Sequence, residues 1–128
     1  MTLLEAARAA QQSAYAPYSK YRVGCALETV EGLVYTGCNV ENASYGATLC
    51  AERVAIFKAV SEGHLKFRRI MICTDSSVPA APCGLCRQVM SEFCDPDLEI
   101  ILCGANETER HFRLAELLPH PFNQSSFV

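Results

Sequence analysis

Cys83 and Cys86 stand three positions apart behind Pro82, in the stretch APCGLCRQVM over 81–90. However the chain folds, these two thiols must lie close together, and what joins them decides the chemistry available. The spacing admits a redox pair, half of a closed structural zinc knot, or part of an open metal centre. Eight cysteines in 128 residues is about 6%, below the roughly 8–10% of a small disulfide scaffold. MTLLEAARAA carries Glu5 and Arg8 inside its apolar patch, unlike a secretory leader. The expected setting is therefore a reducing cytoplasm, where paired thiols serve metal or redox chemistry.

The rest of the composition narrows the partner. A net charge of -3 gives no pull toward nucleic acid or an anionic membrane surface. No apolar run approaches the roughly 18 residues of a membrane span. A small, roughly neutral molecule is the expected partner. The length predicts one domain over 1–128.

Leu3, Leu4, Ala7, Gln11 and Ala14 follow a helical period, which predicts an amphipathic helix over about residues 2–14. In YRVGCALETV, Val23, Cys25 and Leu27 alternate with Arg22, Gly24 and Ala26, the pattern of a half-buried strand. Glu31-Gly32 turns this strand into LVYTGCNV as a hairpin. CAERVAIFKAVSEG reads as a helix stopped by Gly63, and RRIMICTD as a buried strand. Pro82 opens a helix over CGLCRQVMSEF, LEIILCGA is a second buried strand, and NET turns into a short RLAELL helix. Helices thus alternate with apolar strands from residue 50 onward, an α/β sandwich with at least one parallel unit.

Cys50 and the Cys83/Cys86 pair both fall at expected helix starts, where free N–H groups and partial positive charge favour a thiolate centre. A closed zinc knot commonly takes two Cys-x-x-Cys pairs, but one is present and His64, His111 and His120 are scattered. A catalytic zinc takes three protein ligands and one open position. Cys50 provides a third thiolate, with Glu52 two residues on. Zinc nucleobase deaminases carry the signature His/Cys-x-Glu followed by Pro-Cys-x-x-Cys. Cys50-Ala51-Glu52 and Pro82-Cys83-Gly84-Leu85-Cys86 match it in full. A lone Cys-x-x-Cys is weak evidence; five fixed residues split over two helix starts are specific.

Hydrolytic deamination needs water made nucleophilic at neutral pH, which zinc supplies. It also needs a group to carry protons, the role of Glu52 as general acid and base. Three thiolates with one Zn²⁺ leave a net -1 charge, which blunts that activation. The helix N-termini offset part of this, and Arg53, beside Glu52, is the second contributor, with Gln88 assisting from the neighbouring helix. Read without the cysteines, Glu52 is an ordinary helix-start carboxylate and Arg53 a surface ion-pair partner.

Beyond the five signature residues, YAPYSKYRVGCAL, GCNVENASY, CAERVAIFKAVSEG, PCGLCRQVMSEF and AELLP resemble the small homotetrameric cytidine deaminases over almost the whole chain. The resemblance implies a three-layer α-β-α sandwich on a mixed sheet of about five strands, with one zinc per chain. It implies deamination of cytidine and 2'-deoxycytidine to the uridine nucleosides in pyrimidine salvage. By the same resemblance Arg53 donates to the cysteine sulfurs, Asn39 and Glu41 hold the ribose 3'-hydroxyl, and Ala51 joins them as a substrate contact. Tyr21 matches an aromatic, often Phe in the family, that lines the pyrimidine pocket; its hydroxyl needs a partner. Phe122 matches an aromatic that reaches the base from another subunit, and Tyr45 an interface position near shared sites. Simple packing of the tail is the plainer account of Phe122. Cys25, Cys38, Cys73, Cys94 and Cys103 read as small hydrophobes.

Three other functions share parts of this pattern. A deaminase of blasticidin S carries the same metal signature, and a polynucleotide-editing deaminase usually carries a histidine in place of Cys50 and needs a basic surface to hold a strand. A zinc-stabilised interaction module would have no use for Glu52.

Overall fold

A computed structural model describes residues 1–127. Its elements are α1 (Leu3–Gln11), β1 (Val23–Thr29), β2 (Val34–Cys38), α2 (Ala51–Ser61), β3 (Phe67–Thr74), α3 (Gly84–Phe93), β4 (Glu99–Cys103), β5 (Glu109–Arg113) and α4 (Leu114–Leu117). One five-stranded sheet runs in the order β2-β1-β3-β4-β5. β3 and β4 are parallel, and β1 is antiparallel to both β2 and β3, as β5 is to β4. A parallel pair needs a crossover, and α3 provides it.

Side chains alternate between the faces of a strand, and the two faces bury different partners. Ala26, Met71, Cys73, Ile101 and Cys103 pack with Ala6 and Ala7 of α1. Leu27, Ile70, Ile72, Ile100 and Leu102 pack with Ile56 of α2, Met90 of α3 and Leu114 of α4. The result is the expected α-β-α sandwich on a mixed sheet. No helix among the described residues is long and apolar enough to cross a membrane.

Three local expectations need correction. First, β1 is buried on both faces from Gly24 to Leu27. Its small residues let α1 sit directly on the strand backbone: a Cβ on Gly24 would lie 2.2 Å from the Ala7 carbonyl oxygen. Second, α1 starts at a capping box between Thr2 and Glu5 and ends at Gln11. Beyond it, Gln12, Ser13 and Ala14 bond three residues back, to Ala9, Ala10 and Gln11, the tighter spacing of a fraying terminus. Third, ERHFR, between the NET turn and the RLAELL stretch, forms the edge strand β5, and the helix after it starts at Leu114 rather than Arg113. Four of the five β5 residues carry charge or an imidazole, as edges facing water commonly do, so the apolar signal was missing.

Candidate active site

Cys50 is the N-cap residue of α2 and Cys83 that of α3, with Cys86 in the first turn of α3; neither cap side chain accepts a backbone N–H of its own helix. Two features set the start of α2 against β2. Val40 and Leu49 exchange backbone hydrogen bonds at 3.0 Å, which returns the chain beside β2 before Cys50. Gly37 of β2 then admits the first turn of α2, since a Cβ there would lie 2.4 Å from the Ala51 carbonyl oxygen.

The three sulfurs of Cys50, Cys83 and Cys86 lie within 4.8 Å of one another. Cys50 Sγ is 3.7 Å from Cys83 Sγ, and Cys83 Sγ is 3.6 Å from Cys86 Sγ. A disulfide holds its sulfurs about 2.05 Å apart. Ligands about 2.3 Å from a tetrahedral zinc lie about 3.8 Å from each other. The spacing therefore fits three ligands of one tetrahedral metal, and the donors are of the type zinc prefers. All eight cysteines are free thiols.

Arg53 Nη2 donates to Cys50 Sγ at 3.4 Å. The Cys86 thiol, then Arg53, draw the Cys50 thiol down to about 5 against the cost of burial. The same hydrogen bond, with burial, pushes Cys86 the other way. One thiolate is thus already favoured at this cluster. Glu52 is 4% exposed, and burial raises its carboxyl to about 7. That is the range in which a side chain can both take and return a proton at neutral pH.

A cavity of about 480 Å³ opens onto Glu52, Cys50 and Cys83, a size in the small-molecule range. Tyr21, Asn39, Glu41 and Ala51 also line it, so six of the expected residues meet there with Cys83. Asn39 spans the strand ends: its Oδ1 accepts from the Val23 amide at 2.9 Å and its Nδ2 donates to the Tyr21 carbonyl at 2.7 Å. The Tyr21 hydroxyl has its partner in Ser76 Oγ at 3.0 Å. Ser76 also meets Thr74 Oγ1 at 3.0 Å and donates to the Val78 carbonyl at 2.6 Å. It therefore ties the aromatic wall to the loop leading to Cys83. Sequence reading passed over Ser76 and also Ser19, which lines the cavity beside Glu41; a serine in a loop carries no pattern of its own.

Three expected residues lie elsewhere. Tyr45 is 88% exposed and lines a smaller cavity that adjoins the first through Ser19, Glu41 and Thr48. Phe122 is 60% exposed, stacked edge-on against Phe127 with ring centroids 5.3 Å apart. Gln88 does not reach the sulfurs: its Nε2 donates to the Phe122 carbonyl at 2.8 Å. Two positions along a helix turn the side chain by about 200°, so Gln88 points away from Cys86 and toward the tail.

Residues 1–110 match the family model described as the cytidine and deoxycytidylate deaminase zinc-binding region. This chain belongs to that deaminase family. A cytidine deaminase of Halalkalibacterium halodurans is 45% identical over 120 residues, covering 94% of this chain and 91% of the relative. One from Sporosarcina psychrophila is 42% identical over 122 residues, covering 95% and 90%. The crystal structure of cytidine deaminase from Burkholderia pseudomallei superposes with a TM-score of 0.91 at 48% identity, covering 95% of this chain and 100% of that one. The mixed five-stranded sheet and its helices are thus those of the deaminase family.

Proposed function

We propose that this protein hydrolyses the C4 amino group of cytidine and 2'-deoxycytidine, releasing ammonia and leaving the uridine nucleosides for pyrimidine salvage. The observation that carries the reading is the buried Glu52 beside the Cys50/Cys83/Cys86 cluster, with Glu52, Cys50 and Cys83 on the wall of one cavity of about 480 Å³. Cys50, Cys83 and Cys86 would hold one zinc, which supplies water made nucleophilic at neutral pH. Glu52 would take a proton from the attacking water, whose oxygen bonds to C4, and deliver it to N3 of the ring. It then passes the second water proton to the C4 amino nitrogen, the C–N bond breaks, and ammonia departs. Arg53 holds the Cys50 sulfur and offsets its charge.

The cavity favours a nucleoside over a nucleotide. None of the described residues lining it is Lys or Arg, and Glu41 is among them. A phosphate there would meet like charge without a partner. Asn39 and Glu41 serve the sugar hydroxyls, Ala51 the base and Tyr21 its face. Tyr45 and Phe122 stand outward, which suits a homotetramer whose sites borrow aromatics from neighbouring subunits. Free thiols throughout suit a cytoplasmic protein.

The test is ultraviolet absorbance of the zinc-replete protein with cytidine, beside free cytosine, deoxycytidine monophosphate and blasticidin S. Cytidine turnover with the other three untouched is the expected result. Turnover of blasticidin S alone would transfer the site to that antibiotic, and no turnover at all would reduce it to a structural zinc.

A further inference from the structure

The Glu41 carboxylate is held by three donors from one turn. Its Oε1 accepts from the Tyr18 amide at 3.0 Å and the Ser19 amide at 3.1 Å, and its Oε2 accepts from the Ser19 hydroxyl. The Ser19 oxygen itself accepts from the Tyr21 amide at 3.0 Å. A serine hydroxyl has one proton to give, and here it goes to Glu41. Between Ser19 and Tyr21, Lys20 has φ 60°, the left-handed conformation seldom taken without a glycine. The turn so formed places Ser19, Tyr21 and Glu41 on the wall of one cavity.

We propose that Ser19 is a positioning residue for sugar recognition, locking the Glu41 carboxylate on the cavity wall as an acceptor for a ribose hydroxyl. The inference rests on the deaminase reading above and on Glu41 as the sugar contact. A glutamate free to rotate loses side-chain entropy when a ligand fixes it, whereas one already clamped binds without that loss. The Ser19 hydroxyl is also the foremost cause that holds the Glu41 carboxyl below its ordinary range. Glu41 therefore stays a pure acceptor, unable to donate to a substrate oxygen. A clamped acceptor discriminates against substrates lacking the hydroxyl, because they forgo a charge-assisted hydrogen bond that the held carboxylate accepts without further ordering.

The experiment compares kcat/KM for cytidine with kcat/KM for 2',3'-dideoxycytidine in the zinc-replete wild type and in Ser19→Ala. The wild type is expected to prefer cytidine, and Ser19→Ala to shrink that preference about tenfold, the scale of one hydrogen bond to a charged group. Ser19→Thr, which keeps the hydroxyl, should retain most of it. The ratio is taken within one preparation, so loss of folded protein cancels. Should Ser19→Ala yield no active protein, Ser19→Gly is read by the same ratio. A ratio unchanged from the wild type, with both substrates slowed equally, overturns the proposal and leaves Ser19 a structural residue. Equal use of the two substrates by the wild type overturns it through Glu41 instead. A wild type that turns over neither substrate fails at the deaminase reading itself.

Discussion

The Arg53 guanidinium sits 3.4 Å from the Cys50 sulfur, so the start of α2 carries both a thiol of the three-cysteine cluster and a cation beside it. Three thiolates give more negative charge than a Zn²⁺ neutralises, and a donor to sulfur withdraws part of it. Removing such a partner typically costs about 10–100-fold in metal affinity or activity. Arg53→Ala is therefore expected to lose zinc to a competing chelator at lower chelator concentration and to deaminate more slowly. Wild-type zinc retention together with wild-type turnover would contradict this.

Metal removal should uncover one reactive thiol first. In protein stripped by a chelator, Cys50 is drawn down to about 5 and is half-buried rather than enclosed. A lowered value means that thiolate, the nucleophilic form, predominates above pH 5. Cys73 is fully buried and its burial pushes it up to about 12, so it stays a thiol. Iodoacetamide at pH 6.5 is expected to label Cys50 well before Cys73, as read by peptide mass spectrometry, and zinc should protect Cys50. Equal labelling of the two would be the wrong result.

The tail offers a prediction about assembly. Phe122 is exposed, and Gln88 holds its carbonyl at 2.8 Å. Phe122→Ala should lower kcat/KM for cytidine about tenfold or more while one zinc per chain remains, in the range of an interface aromatic. Gln88→Ala should act in the same direction and more weakly, since it loosens the anchor and leaves the ring. Wild-type kinetics in Phe122→Ala would remove the idea of a shared pocket.

Close packing at Gly24 is a matter of stability alone. A Cβ there meets Ala7 and Gln11 backbone atoms at 2.2 and 2.4 Å, and backbone cannot yield as a side-chain tip can. Gly24→Ala is expected to destabilise by about 3 kcal/mol, at the upper end for overpacking, as measured by urea unfolding. A change under about 0.5 kcal/mol would mean that α1 shifts freely.

How much of this was legible differs by residue, for physical reasons. The meeting of Cys50, Cys83 and Cys86 beside Glu52 was legible because a metal-ligand signature constrains residue type and spacing. β3 from Ile70 to Cys73 and β4 from Ile100 to Cys103 were legible because both are buried on two faces there and read as unbroken apolar runs. β5 was hidden because an edge strand needs no apolar face, and only Phe112 of its residues packs against the core. Gln88 was misplaced for want of helical phase: nearness in sequence to Cys86 put it on the wrong side of α3. Ser19 and Ser76 act through partners 22 and 55 residues away, contacts that exist only once the chain has folded.

The central claim is that Cys50, Cys83 and Cys86 hold the metal while Glu52 alone moves the protons. Its most direct test measures zinc per chain and cytidine turnover in the wild type and in Glu52→Gln, side by side. The account predicts about one zinc in both, the number a single three-cysteine site allows. It also predicts turnover lowered by at least about 10³-fold in the variant, within the range for loss of a general acid–base. A Glu52→Gln variant that keeps its zinc and still deaminates cytidine at the wild-type rate would contradict it.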